Sequence, residues 1–213
     1  MDRTELGVRW AGLLAGRGGP AEAVGRLGDE LLAAYAGAER SYHSLGHLVA
    51  VLTALDELAD LAADPAVVEL AAWFHDVVYD PRAAPGANEA ASAVRAAEAL
   101  RDLGVPAAVV GETARLIRLT ATHTSPAPDT NGAVLLDADL AVLGADVERY
   151  RRYVAGVRAE YAFVDDNGWR AGRSALLRGL LARPRLFVTD RARDRWEAAA
   201  RSNLAAELAS LGG

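Results

Sequence analysis

Apolar positions recur every three or four residues along most of the chain, the spacing that lines one face of an α-helix, and few stretches alternate as strands do. The pattern predicts an all-α protein with helices at 3–16, 20–37, 44–63, 65–78, 87–104, 106–122, 132–143, 146–165, 168–183 and 190–211. The residues between these spans support the divisions. Asp64-Pro65 reads as an N-cap followed by proline in the first turn, and Asp190 is expected to cap the last helix in the same way. Gly104-Val105-Pro106 closes one helix and opens the next, while Asp80–Gly86 and Thr124–Asp129 read as proline-bearing loops. With no internal repeat and no long linker, the chain of 213 residues is expected to be a single domain. Its core would lie at about 38–165, with C-terminal helices at about 166–213 packed onto it.

Composition narrows the class. Hydrophobic residues make up 52% and charged residues 24%, the balance of a soluble globular protein rather than a disordered or membrane chain. No apolar run approaches the roughly 20 residues that span a bilayer. An aspartate stands where a signal peptide would carry positive charge, so the expected location is the cytoplasm. The net charge of −6 and the lack of a long basic run argue against binding to a nucleic-acid duplex, and a small anionic substrate remains open. Cysteine is absent, which removes disulfides, thiolate nucleophiles and thiolate metal sites. Any bound metal must therefore be held by nitrogen and oxygen. All 23 basic residues are arginine, which fits a GC-rich coding sequence and carries no functional weight.

The candidate chemistry gathers around four histidines, at positions 43, 47, 75 and 123. His43 and His47 lie one helical turn apart and would share a face. His75 and Asp76 end the apolar run Val67–Phe74, where a buried charged pair is costly unless something compensates it. A divalent cation would do so. Adjacent residues on a helix point about 100° apart, so both can reach one ion only at a helix end or in a crevice between helices. Two more carboxylates, Asp137 and Asp139, interrupt the apolar run Leu135–Leu140, and at least one of them should face a positive group. Two imidazoles with two carboxylates form a mixed set suited to Mn, Fe, Co, Ni or Zn rather than to Ca or Mg.

The order His47, His75-Asp76, Asp139 resembles the H…HD…D signature of the HD superfamily of metal-dependent phosphohydrolases. Around it, Arg40–Leu48, Phe74–Pro81, Asn88-Glu89 with Ser92-Ala93, Leu136–Leu140 and Arg158–Tyr161 are similar to a bacterial subgroup of predicted members, over roughly residues 38–208. The resemblance implies an HD-type helical domain holding one divalent metal ion through His47, His75, Asp76 and Asp139, with Asp137 as the competing last ligand. It also implies hydrolysis of a small phosphorylated substrate, possible nucleotides included, by a metal-activated water.

Within that frame Asp76 would both ligate and orient the water, and Glu89 would serve as a base or proton acceptor beside the metal shell. His123 would contact phosphate or a second metal, and His43 is a further substrate-binding candidate. Guanidinium forks match phosphate oxygens, which makes Arg40, Arg158 and Arg173 candidate substrate contacts, with Tyr42, Tyr79 and Tyr161 lining the pocket. The alternative is a non-catalytic sensor that holds a nucleotide or metal in the same helical pocket. Neither the substrate nor the oligomeric state is written in these motifs.

Overall fold

A computed structural model describes residues 1–212, which fold into helices joined by short loops with no strand among them. Helices α1 (Arg3–Leu14) and α2 (Ala21–Ala34) form an N-terminal hairpin. There follow α3 (Leu45–Leu58), α4 (Pro65–Phe74), α5 (Ala87–Asp102), α6 (Ala107–Leu119) and α7 (Thr130–Leu140). Helices α8 (Val147–Glu160) and α9 (Asp166–Ala182) lead to α10 (Asp190–Ala192), which continues through a π-helical stretch, Arg193–Glu197, into α11 (Ala198–Ser210). None of these helices is long and apolar enough to cross a membrane.

The expected all-α class holds, and the caps explain most of the boundaries. Asp64 accepts a hydrogen bond from Val67 N with Pro65 in the first turn of α4, as its sequence reads. At the last helix the expectation needs correcting. Thr189 is the N-cap of α10, taking Ala192 N on its hydroxyl, and Asp190 is already the first helical residue. Gly104 adopts a positive φ of 71° beyond α5, a conformation glycine reaches without steric cost, and Pro106 is the N-cap of α6.

The departure that matters most is at α4, which stops at Phe74 rather than running to residue 78. Side chains take up the backbone groups that a longer helix would have used. Arg40 donates to the carbonyls of Asp76 (2.6 Å) and Val77 (2.9 Å). Ser92 both receives Val78 N and donates to the Val78 carbonyl, and Asn88 does the same for Asp80. His75 is consequently the C-cap of α4 and Asp76 lies just beyond it, the helix-end position that lets neighbouring residues converge.

Packing places this helix end in the middle of the molecule. α4 is almost wholly buried, and its Trp73 and Phe74 meet Trp10 of α1 at ring-centroid distances of 5.3 and 5.9 Å. Burying aliphatic or aromatic side chains of this kind is worth about 1.5–3 kcal/mol each. Trp10 donates its indole N–H to the Val24 carbonyl. Gly28 lets the indole approach α2, since a Cβ there would lie 2.5 Å from Trp10 Cδ1. At the other side the C-terminal helices are tied down by buried polar bonds. Glu207 of α11 takes Arg173 of α9 at 2.7 Å and also the Tyr150 hydroxyl of α8.

Candidate metal centre

Three helices bring three donor atoms to one point, with a fourth carboxylate beside them. His47 comes from the first turn of α3, His75 and Asp76 from the end of α4, and Asp139 from the last turn of α7. The Nε2 atoms of His47 and His75 are 3.0 Å apart. Asp76 Oδ2 lies 3.3 Å from the first and 3.1 Å from the second. Asp139 Oδ1 lies at 3.3 and 3.5 Å from the same two nitrogens. With metal–ligand bonds of about 2.1 Å, ligand atoms at 90° stand about 3.0 Å apart and those at a tetrahedral angle about 3.4 Å apart. The spacings among His47, His75 and Asp139 are therefore those of one coordination polyhedron, a group able to hold a metal ion, and Asp76 Oδ2 sits beside both of its imidazole nitrogens.

The surrounding hydrogen bonds orient these donors. His75 Nδ1 is 2.8 Å from the Ala72 carbonyl, an acceptor only, so Nδ1 carries the proton and Nε2 of the neutral ring presents its lone pair. His123 gives its Nε2–H to the second oxygen of Asp139 at 2.9 Å and leaves Oδ1 for the centre. It does so from a left-handed backbone, φ 48°, uncommon outside glycine. Arg40 fixes the main chain at Asp76 and Val77, as described above.

Both imidazoles are buried, at 5% and 1% exposure. Burial opposes charge on the imidazole of His75, but the carboxylates of Asp76 and Asp139 outweigh it and hold the ring well above the ordinary histidine range. His47 is raised by the same balance. Burial likewise opposes charge on the two carboxylates, and the neighbouring imidazoles nevertheless hold Asp76 and Asp139 well below the usual carboxylate range. The cluster thus favours anionic oxygens, which suits a cation.

Asp137, the competing ligand, points elsewhere. Both its oxygens accept backbone N–H groups of the segment before α10, Val188 at 2.6 Å and Thr189 at 2.7 Å. Burial pushes its carboxyl up despite those bonds. Asp137 therefore docks the C-terminal segment, and Asp139, two residues on, faces the histidines.

A cavity of about 530 Å³ opens on the cluster, a size suited to a small molecule. His43, Glu89, His123 and Arg173 are on its wall, with Tyr42, Tyr79, Tyr153 and Tyr161. Glu89 is half-buried there. The arginine expectations need correction. Arg40 is largely spent on three carbonyls, those of His43, Asp76 and Val77, and does not line the cavity. Arg158 turns towards the end of α8, where it holds the Tyr161 and Val164 carbonyls and Asp166. Arg173 reaches the cavity, but its guanidinium is engaged by Glu207 and the Tyr153 hydroxyl.

One residue gains a role that its sequence context did not suggest. Glu160 at the end of α8 accepts the Tyr42 and His43 backbone N–H groups, His43 Nδ1 at 2.7 Å and the Tyr79 hydroxyl at 2.9 Å. Its partners lie up to 118 residues away, beyond the reach of any local pattern. Because a carboxylate only accepts, His43 donates through Nδ1, which leaves Nε2 of the neutral ring as an acceptor on a residue of the cavity wall. His43 also stacks on Tyr79 at 4.1 Å.

Fold and site together define an all-helical protein with a mixed nitrogen–oxygen cluster able to hold a metal at the foot of a cavity. The chain matches no family model, no curated protein and no solved structure.

Proposed function

We propose that the protein is a metal-dependent phosphohydrolase of the HD type, acting on a small phosphate ester. The observation that carries this reading is the convergence of His47, His75, Asp76 and Asp139 beside a ligand-sized cavity, in the order of the H…HD…D signature. The donor set fits one divalent ion on its spacing and on the tautomer that Ala72 imposes on His75. A divalent ion held there supplies Lewis acidity to a phosphoryl oxygen and to an attacking water.

The chain's own residues supply the rest. Asp76 has one oxygen committed to the cluster and accepts hydrogen bonds only, which equips it to orient a water. His43, fixed by Glu160, offers Nε2 to hold a proton beside the ester, and Glu89 lies on the same wall as a second proton acceptor. Purified protein supplied with transition metal should cleave members of a phosphate-ester panel. His75→Ala and Asp76→Ala should abolish the cleavage while the protein remains folded. A metal-loaded, well-folded protein that is inert across the panel overturns this reading. If it bound the esters saturably without turnover, the pocket would instead be a sensor.

A further inference from the structure

The charges around the cavity restrict which ester it can take. Four carboxylates line it: Asp76, Asp139, Asp80 and Glu89. The first two belong to the metal cluster and would offset a divalent ion. The other two remain. Asp80 receives only the backbone N–H of Arg82 on its carboxylate, and Glu89, on the cavity wall, makes no ion pair among the described residues. Opposing them, Arg173 is the only arginine on the wall among the described residues, and it is already bound to Glu207. His43 and His123 each give one ring nitrogen to a carboxylate, of Glu160 and Asp139 respectively. No arginine on the wall is left over among the described residues to receive a second or third phosphate.

The same wall is rich in aromatic rings. Tyr42 meets Tyr153 at 4.7 Å, and Tyr79 stacks on His43, so flat apolar surface lies next to the carboxylates. Such surface takes up a planar ring by stacking, worth about tenfold or more in affinity per ring. Carboxylates accept hydroxyl and amine hydrogens, which suits a sugar or an exocyclic amino group and opposes further anionic charge.

We propose that the cavity takes an ester of a single phosphate bearing a planar aromatic group, a nucleoside monophosphate being the representative, and discriminates against di- and triphosphates. This rests on the phosphate-ester reading above and specifies it. Each added negative charge within roughly 7 Å of an unpaired carboxylate costs about tenfold in affinity at an effective dielectric of about 40, between those of a protein surface and of water. A triphosphate, two charges beyond the monophosphate, should bind about 100-fold more weakly.

The test is calorimetric titration of the metal-loaded protein with adenosine mono-, di- and triphosphate and with glycerol phosphate, free metal being buffered and turnover of the same compounds followed in parallel. The expected order is monophosphate tightest, triphosphate weaker by about 100-fold and glycerol phosphate weaker by at least about tenfold. Glu89→Gln, checked for its fold by circular dichroism, should narrow the mono-to-triphosphate ratio about tenfold. A triphosphate that binds as well as the monophosphate overturns the inference, as does glycerol phosphate binding equally well. The expected order without turnover leaves the inference standing and sinks the hydrolase reading. Turnover that favours triphosphate does the reverse, and no binding by any compound overturns both.

Discussion

Asp137 and Asp139 are two residues apart in one helix, and the structure gives them opposite jobs, so truncating each should produce opposite signatures. Asp137→Ala strips the acceptors from Val188 N and Thr189 N, which it holds at 2.6 and 2.7 Å. Leaving a buried donor unmet costs about 1–3 kcal/mol, so these two part-buried ones give up to roughly 6 kcal/mol. Part of this is returned because the carboxylate is itself opposed by burial, which leaves about 2–4 kcal/mol. For a chain of this size each kcal/mol lowers the melting temperature by about 2–4 °C, which makes the drop roughly 5–15 °C. Metal content should stay near that of the parent protein.

Asp139→Ala removes a donor atom from the cluster instead. Its effect should appear in the stabilisation that added metal confers, about 2.7 kcal/mol when free metal is 100 times Kd. That increment should largely disappear. Thermal melts of both variants with metal and with chelator, alongside elemental analysis, separate the two outcomes. Loss of metal from Asp137→Ala with retention in Asp139→Ala would refute the assignment.

Two further predictions follow from the groups around the cluster. Arg40→Ala should lower stability by about 2–4 kcal/mol, since three carbonyls lose their donor, and should weaken metal binding at least about tenfold by freeing the main chain at Asp76; unchanged melting and metal content with lost substrate binding would instead put Arg40 on the substrate. Metal-induced stabilisation should grow as pH rises past the ordinary histidine value of about 6.5, because His47 and His75 are raised in the metal-free cluster and metal must displace their protons. In the metal-free protein the sign is opposite. The contribution of these raised imidazoles is complete below about 6.5 and is lost as pH climbs through their folded-state values. Melting curves between pH 6 and 9 check both, and a metal increment that shrinks with rising pH would contradict the account.

Much of this molecule was legible in local sequence. Helical periodicity, the Asp64-Pro65 cap and the Gly104–Pro106 break are determined within a few residues, and the helices follow them closely. The early end of α4 was harder to read, because Arg40, Asn88 and Ser92 terminate the helix from outside it. At the site, the pair His75-Asp76 was visible as costly polarity at the end of an apolar run. The choice of Asp139 over Asp137 was not visible from spacing alone, since it depends on where residues 188 and 189 dock. The arginines misled for a related reason. A guanidinium is recognisable in sequence, but its partner is not: Glu207 lies 34 residues from Arg173, and the carbonyls held by Arg40 lie 36 and 37 residues away. The role of Glu160 was not legible in its segment because the backbone groups it collects lie 117 and 118 residues away.

The central claim is that His47, His75, Asp76 and Asp139 hold one divalent ion. Anomalous diffraction collected across transition-metal absorption edges, on crystals of the purified protein, tests it most directly. The account predicts a single strong peak within bonding distance of the two Nε2 atoms, Asp76 Oδ2 and Asp139 Oδ1, absent from crystals of His75→Ala. A fully metal-soaked crystal with no peak among these four atoms, or with the ion bound at Asp137, would contradict it.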